Sequence, residues 1–321
     1  MALKVVVIGG VAAGATVAAK VRRMDENAEI TLIEKNGYIS FANCGMPYYI
    51  GDIIRSRNSL LFHNEKSFKK RFNVDVHTKT EVFKIDPVNK VVYAKKNNND
   101  LVQFSYDKLA ICNGAKTFLP PIKGLNAINY WTLRSIEDMD GIKQFIVENK
   151  PTSAAIIGGG YIGIETAEAL HNCGLKVSIV EALPNILPTF SPEISQKIYD
   201  AMISSNIEIL CKTKVVEVSP EGDKTKIITE NGKEIYVDML IVSTGVKPDT
   251  SIAETAGIKI GELGGVEVNE FMETSIKDIY AAGDLVEKVD LVTGKKILAP
   301  LAGPANREGR VAGSNIAGFK K

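Results

Sequence analysis

The chain has few cysteines, and none is spaced for a pair or for a metal site. Its 321 residues include four cysteines, and no two of them stand in a C-x-x-C or C-x-x-x-x-C arrangement. Such spacings would mark a redox-active disulfide or a zinc site. The sequence therefore disfavours both, and we expect no bound metal.

Strong charge and long apolar runs are also missing. Lys and Arg (39) nearly balance Asp and Glu (38), and the net charge of +1 argues against binding to nucleic acid or to a membrane surface. No apolar run reaches the roughly 20 residues of a membrane-spanning helix. No signal-peptide pattern and no linker rich in Gly/Ser or Pro is visible. These absences favour a cytoplasmic protein with small-molecule partners.

A nucleotide-binding fingerprint opens the sequence. The apolar run 5–8 predicts a buried parallel strand, and a glycine turn leads from it into an Ala-rich helix over 15–23. Val11 stands where the strict G-x-G-x-x-G pattern has its middle glycine. Glu34 ends a second strand, twenty residues after the last glycine, where an acidic side chain binds an adenosine ribose. The glycines expected at the cofactor are Gly9, Gly10 and Gly14.

A second and complete copy lies in the middle of the chain. A strand at 153–157 precedes a glycine turn and a helix through about Cys173, and the next strand ends at Glu181. Glu181 would accept a 2′-hydroxyl but repel a 2′-phosphate, so the sequence favours NADH over NADPH. The expected cofactor-binding residues of this copy are Gly158, Gly160, Tyr161, Ile162, Gly163 and Glu181.

Three further segments predict strands that end at a ligand-binding edge. Those at 107–115 and 238–249 are related apolar strands that end in glycine turns, and we expect Gly245 of the second to contact a cofactor. The third, 274–284, delivers Asp284 at its carboxyl end. Ligands bind at that end of the strands in open α/β sheets. The predicted fold class is α/β, with two Rossmann-like dinucleotide-binding domains.

Cys44 stands in the run 40–49, Ser-Phe-Ala-Asn-Cys-Gly-Met-Pro-Tyr-Tyr. With both fingerprints and Ala281–Asp284, this run resembles the class III flavoprotein reductases, the branch of coenzyme A-disulfide reductases, NAD(P)H persulfide reductases and NADH oxidases. The resemblance covers essentially the whole chain. It implies an FAD-binding domain formed by 1–115 and 247–321, with an NAD-binding domain, 116–246, inserted in it.

The resemblance also implies site residues. Cys44 would be the redox-active thiol, and Glu165 matches a carboxylate near the nicotinamide. The implied flavin site comprises Gly9, Gly14, Glu34, Asn43, the backbone of Val82, Asn113, Arg134, Asp284, Leu301 and Ala302. The implied coenzyme A site comprises Thr16, Lys20, Arg23, Ser40, Asn43, Arg71 and Asn306.

A single cysteine cannot close an internal disulfide, so oxidised Cys44 must be a mixed disulfide, a persulfide or a sulfenic acid. The family resemblance selects coenzyme A, and we expect NADH to reduce FAD and Cys44 to reduce a coenzyme A disulfide or persulfide. One alternative is an NADH oxidase, with O₂ as acceptor and Cys44 cycling through a sulfenic acid. Another is a non-catalytic nucleotide-binding or redox-sensing fragment. We expect the other three cysteines to be inert: Cys112, Cys173 and Cys211.

Two features depart from the branch that the chain resembles. Its NADH peroxidases carry a histidine in the first glycine turn, where this chain has Ala12, which disfavours peroxidase activity. Full-length members are homodimers that continue past the helix near Asn306 into a dimerisation domain, which brings tyrosines to the partner's cysteine. This chain ends at Lys321. We therefore expect a two-domain piece that behaves as a monomer or weak dimer.

Overall fold

The structure is a computed structural model, and it describes residues 2–319. Three short 3₁₀ turns lie at Asn43–Gly45, Arg57–Leu60 and Leu125–Ala127. The α-helices are α1 (Ala12–Met24), α2 (Met46–Ile50), α3 (Glu65–Phe72), α4 (Ile136–Asn149), α5 (Tyr161–Asn172), α6 (Pro192–Ser204), α7 (Ser251–Thr255) and α8 (Ala302–Ile316).

The strands alternate with these helices in the pattern of an α/β protein. They are β1 (Lys4–Ile8), β2 (Glu29–Ile33), β3 (Ile39–Phe41), β4 (Leu61–His63), β5 (Asp75–His77), β6 (Thr80–Asp86), β7 (Val91–Lys96), β8 (Leu101–Ser105), β9 (Lys108–Ile111), β10 (Ala115–Thr117), β11 (Ser153–Ile157), β12 (Lys176–Val180), β13 (Glu208–Leu210), β14 (Val215–Glu221), β15 (Lys224–Thr229), β16 (Glu234–Val237), β17 (Met239–Val242), β18 (Val246–Pro248), β19 (Ile279–Ala281), β20 (Lys288–Val289) and β21 (Lys296–Ile297).

The chain forms two compact units. The first comprises residues up to 41, 61–116 and those from 247 onward, and the second comprises 42–60 and 117–246. The sequence analysis grouped 42–60 with residues 1–115. In the structure, pairing of β3 with β4 keeps both flanks of that segment in the first unit, while the segment itself packs against α4 and α5.

The first unit is built on a five-stranded sheet in the order β19-β9-β1-β2-β5, with its pairs parallel. The central strand β1 is buried except at its first residue, because both faces of this sheet are covered. Helix α1 packs against α8 on one side of the sheet. On the other side, β6, β7 and β8 form an antiparallel sheet over the core.

The second unit repeats this plan. Its parallel sheet runs β13-β12-β11-β17, so that β11 takes the place of β1 and β17 that of β9. An antiparallel sheet of β14, β15 and β16 again packs on the core. Trp131 forms a parallel bridge with Ile241 of β17, on the edge of β17 away from β11. Trp131 thus takes the position that β19 holds in the first unit. The two predicted βαβ copies therefore occupy equivalent positions.

Among residues 2–319, no helix combines the length and the apolar character that crossing a membrane requires. The longest helix, α8, has fifteen residues and carries charged side chains.

Candidate functional site

The first glycine turn brings α1 into contact with the end of β1. Gly9 adopts a φ of +96°, and a Cβ there would collide with the carbonyl of Cys112. A Cβ on Gly14 would collide with the carbonyl oxygen of Gly9. No side chain caps the start of α1, and no acidic residue lies in its first turn. Backbone N–H groups at an uncapped helix N-terminus are suited to the pyrophosphate of a dinucleotide.

The carboxylate that follows β2 is held by the same turn. Glu34 is 7% exposed, and its Oε2 accepts a hydrogen bond of 2.7 Å from the backbone N–H of Gly10. Its Oε1 accepts one of 2.9 Å from the N–H of Asn36. The structure therefore fixes Glu34 beside the glycine turn, where a dinucleotide fold places its ribose acceptor.

The second unit reproduces this arrangement almost atom for atom. Glu181 is 8% exposed, and its two oxygens accept the N–H of Gly159 at 2.6 Å and of Leu183 at 2.7 Å. A Cβ on Gly163 would collide with the carbonyl of Gly158, whereas one on Gly160 would meet no atom within 4 Å. The open side of Gly160 gives a ligand access to the backbone.

The predicted residues around this second turn remain accessible. Tyr161 opens α5, is half-exposed, and makes an edge contact with the ring of Phe190. Ile162 lies in the same helical turn and is partly buried. Gly245, with a φ of +102°, also faces open space.

The strand ends of the first unit supply polar groups at one edge. Asn113 follows β9, and its amide nitrogen donates to the carbonyl of Asp249 at 2.8 Å. Its buried Oδ1 has no hydrogen-bond partner in the described part of the chain. Buried polar atoms normally have partners, so this oxygen fits a donor supplied by a bound cofactor. The residues present thus suit a dinucleotide at this edge.

The remaining flavin predictions fall in both units. Leu301 and Ala302 lie at the start of α8, which has no side-chain cap, and Val82 is buried in β6. Asn43 and Arg134 belong to the second unit, where the Asn43 amide donates to the Arg134 carbonyl at 3.5 Å.

Six of the seven coenzyme A predictions lie in the first unit, and Asn43 lies in the second. The hydroxyl of Thr16 donates to Asn306 Oδ1 at 2.7 Å, which joins α1 to α8. The guanidinium carbons of Arg23 and Arg71 lie 6.0 and 5.3 Å from the ring centre of Phe72. Lys20 is partly buried on α1, and Ser40 donates its N–H to the carbonyl of Gly10.

Burial separates Cys44 from the other thiols. Burial, aided by Glu308, raises the pKa of Cys112 to about 12. The pKa values of Cys173 and Cys211 are also raised, chiefly by burial. Cys44 is the one exposed free cysteine in residues 2–319 and lies in the turn before α2. Because the thiolate is the reactive form, this is the thiol suited to chemistry.

Side chains of α4 contact residues 42–60, the Cys44 segment, and hold it against the rest of the second unit. Arg57 makes two hydrogen bonds to the carboxylate of Asp140, at 2.7 and 2.6 Å. Lys143 lies 2.7 Å from Asp52 and donates to the carbonyl of Ile50 at 2.8 Å. The sequence analysis missed these residues, because no motif links positions so far apart.

Glu165 lies on α5, in a narrow crevice that Pro47 and Tyr48 of the Cys44 segment also line. Burial, and then the charge of Glu168, raise the pKa of Glu165. Glu165 therefore retains its proton to a higher pH than an exposed glutamate does. Its role near the nicotinamide stays a prediction.

Two dinucleotide turns and one exposed thiol define a nucleotide-dependent redox protein. The family profile of pyridine nucleotide-disulphide oxidoreductases matches residues 3–296. The NADH oxidase of Methanocaldococcus jannaschii is 36% identical over 319 residues, covering 99% of this chain and 71% of the relative. The coenzyme A disulfide reductase of Staphylococcus haemolyticus is 33% identical over 324 residues, with shares of 99% and 71%.

Comparison with solved structures indicates the same family. Reduced Bacillus anthracis CoADR-RHD superposes with a TM-score of 0.96 at 40% identity, covering 99% of this chain and 57% of that one. The NAD-dependent persulfide reductase from A. fulgidus gives 0.95 at 39%, with shares of 99% and 59%. The chain thus spans less than two thirds of these two solved chains. It belongs to the pyridine nucleotide-disulphide oxidoreductase family. The predicted family, fold class and enzyme class are confirmed, and the comparisons support FAD and NADH as cofactors.

The first prediction concerns Glu34. Replacing it with Ala removes the carboxylate beside the first glycine turn, and we expect FAD affinity to fall at least tenfold, equivalent to about 1.4 kcal/mol. The dissociation constant can be measured by flavin fluorescence. Lys35→Ala is the control, because Lys35 forms an exposed ion pair with Glu81. Equal losses in the two variants would contradict the assigned role of Glu34.

The second prediction concerns cofactor choice. Because the Glu181 carboxylate would repel a 2′-phosphate, NADH should reduce the flavin faster than NADPH, and Glu181→Arg should narrow or reverse the gap. Stopped-flow bleaching of the flavin measures both rates. Exposed Glu193, changed to Arg, provides the same charge change away from the turn. Equal rates for the two cofactors in the unaltered protein would show that Glu181 does not discriminate.

The third prediction concerns the contacts of α4. Asp140→Ala removes both hydrogen bonds to Arg57, and the pair is partly exposed, so we expect a loss of about 1 kcal/mol in local stability. Hydrogen exchange should quicken over residues 46–57 by several-fold. Lys123→Met, which breaks a surface pair with Glu217 in the same unit, should leave that exchange unchanged. Unchanged hydrogen exchange in Asp140→Ala would show that the Arg57–Asp140 contact does not hold the Cys44 segment in place.

Proposed function

We propose that this chain is the FAD- and NADH-binding part of a thiol/disulfide oxidoreductase that reduces a coenzyme A disulfide or persulfide through Cys44. One observation carries the proposal: Cys44 is exposed, whereas burial raises the pKa values of Cys112, Cys173 and Cys211. Relatives named coenzyme A disulfide reductase and NAD(P)H coenzyme A polysulfide/persulfide reductase support the substrate class.

In this proposal the two glycine turns bind different cofactors. The first unit would hold FAD through the N-terminus of α1, Glu34, Asn113 and Asp284. The second would hold NADH on the N-terminus of α5, with Glu181 at the ribose. When bound, FAD would accept a hydride from NADH and supply an electron pair for the thiol step.

Cys44 performs the sulfur chemistry. Its thiolate attacks one sulfur of the disulfide, the S–S bond breaks, and one coenzyme A thiol leaves with a proton. A mixed disulfide between Cys44 and the second coenzyme A results. Two electrons and a proton then release that thiol and restore the Cys44 thiolate. Glu165, whose pKa burial raises, is suited to hold a proton beside this segment.

The substrate would bind through its phosphates. Lys20, Arg23 and Arg71 form no ion pair with a carboxylate in the described residues, and Arg23 and Arg71 meet at one phenylalanine ring. Such a basic surface suits the phosphate groups of coenzyme A. A free exposed thiol also fits the reducing cytoplasm, where we place the protein.

An NADH oxidase is the second candidate, because the Methanocaldococcus jannaschii relative carries that name at 36% identity. In that case O₂ replaces the disulfide, and Cys44 passes through a sulfenic acid. Both candidates use the same thiol, so the state of Cys44 separates them.

The fourth prediction tests this function. Cys44→Ser should abolish reduction of coenzyme A disulfide while NADH-driven bleaching of the flavin continues, because hydride transfer needs no thiol. Cys211→Ser is the matched control and should retain both reactions. Mass spectrometry of the intact protein should show a coenzyme A adduct on Cys44. A sulfenic acid would favour the oxidase, and an unmodified thiol without turnover would contradict both candidates.

A further inference from the structure

A partly buried ion pair lies beside the turn that follows β19. Lys288 Nζ is 2.6 Å from Glu308 Oε1, and the two side chains are only 14% and 12% exposed. The other oxygen of Glu308 accepts the N–H of Gly283 at 2.8 Å. Lys288 also reaches the carbonyl oxygen of Gly283, at 3.3 Å. Both backbone polar groups of this glycine are therefore held by the pair.

The turn has a conformation that glycine adopts readily, and it leaves little room for a side chain. Gly283 has a φ of +94°, and a Cβ on it would lie 3.0 Å from the Cβ of Ala13 on α1. Asp284 follows directly and is the one partly exposed residue in the run 281–287, whose other members are buried. The turn thus determines where the Asp284 backbone lies, at the edge of the sheet where ligands bind.

Net stability is a poor explanation for the pair. Burying two charges costs desolvation energy that their attraction roughly offsets, so a buried ion pair contributes little net stability. Removing one partner is costly, however, because the other charge stays buried. A pair of this kind is better suited to fixing one geometry than to adding stability.

We propose that Lys288 and Glu308 are positioning residues for the flavin site: the ion pair holds the Gly283 turn so that Asp284 is placed for the cofactor before it binds. The inference rests on the proposed flavin site. It predicts that the pair affects cofactor affinity only through Asp284. Side chains fixed in advance of binding save the ordering entropy that a mobile ligand group would lose.

The fifth prediction uses the FAD-loaded 321-residue protein. Lys288→Met should speed the release of FAD about tenfold, followed by the fluorescence of free flavin, and Lys288→Arg should restore most of the slow rate. Glu308→Gln, which keeps an acceptor for the Gly283 N–H, should have an intermediate effect. These two milder variants keep the test valid if Lys288→Met does not fold.

The control breaks another partly buried ion pair of the same unit. Lys108, at the opposite end of β9 from Asn113, lies 2.6 Å from Asp278. Lys108→Met should lower the melting temperature, measured by circular dichroism, without changing the release of FAD. If Lys108→Met and Lys288→Met speed release equally, the pair acts only through general stability, and the inference fails.

A double-mutant cycle tests whether the pair acts through Asp284. In an Asp284→Ala background, Lys288→Met should no longer change the release rate, because coupled residues are not additive. An undiminished effect there would overturn the inference. Failure of the unaltered protein to bind FAD would overturn the proposed flavin site itself, and an unchanged release rate in Asp284→Ala would remove the role of Asp284. Either result can be distinguished from one in which FAD binds and Asp284 matters but the ion pair does not affect FAD release.

Discussion

The close approach of a helix to the end of a parallel strand is the constraint on which both units depend. At Gly14 in the first unit and Gly163 in the second, a Cβ would collide with the carbonyl of the turn's first glycine. Without side chains there, the helix N-terminus can lie against the strand and present its N–H groups to a phosphate. The placement of both acidic residues is tied to this packing, since Glu34 and Glu181 each accept an N–H group inside a turn.

Desolvation decides which thiol can react. Loss of hydration is the largest cause that raises the pKa values of Cys112, Cys173 and Cys211, and at the last two it outweighs a nearby lysine. Cys44 is exposed, in a segment, Ala42–Leu60, that forms short turns and one short helix on the second unit. A segment with so little regular structure needs side-chain contacts to hold it, and Asp140 and Lys143 of α4 provide them.

Local patterns account for most of what could be predicted from the sequence. Glycine spacing and apolar runs identified both parallel sheets, and α1 begins at Ala12 rather than the expected Ala15 because the end of the glycine turn is itself helical. The Arg57–Asp140 pair joins residues 83 positions apart, so only the folded topology reveals it. Glu308 gave a weaker signal: it shares a helix face with Ala305 and Ala312, both buried. A charge on such a face indicates a buried partner, although its identity does not follow from the sequence.

Three carboxylates make the same hydrogen bond to a glycine, and they differ in the partner of their second oxygen. Glu34, Glu181 and Glu308 each accept the N–H of a glycine at a strand end, namely Gly10, Gly159 and Gly283. The second oxygen of Glu308 lies 2.6 Å from the ammonium group of Lys288. The second oxygens of Glu34 and Glu181 instead accept a further backbone N–H, from Asn36 and from Leu183. The partner of the second oxygen thus differs: it is a backbone N–H of the same loop at the two proposed ribose acceptors, and a lysine side chain at the turn that precedes Asp284.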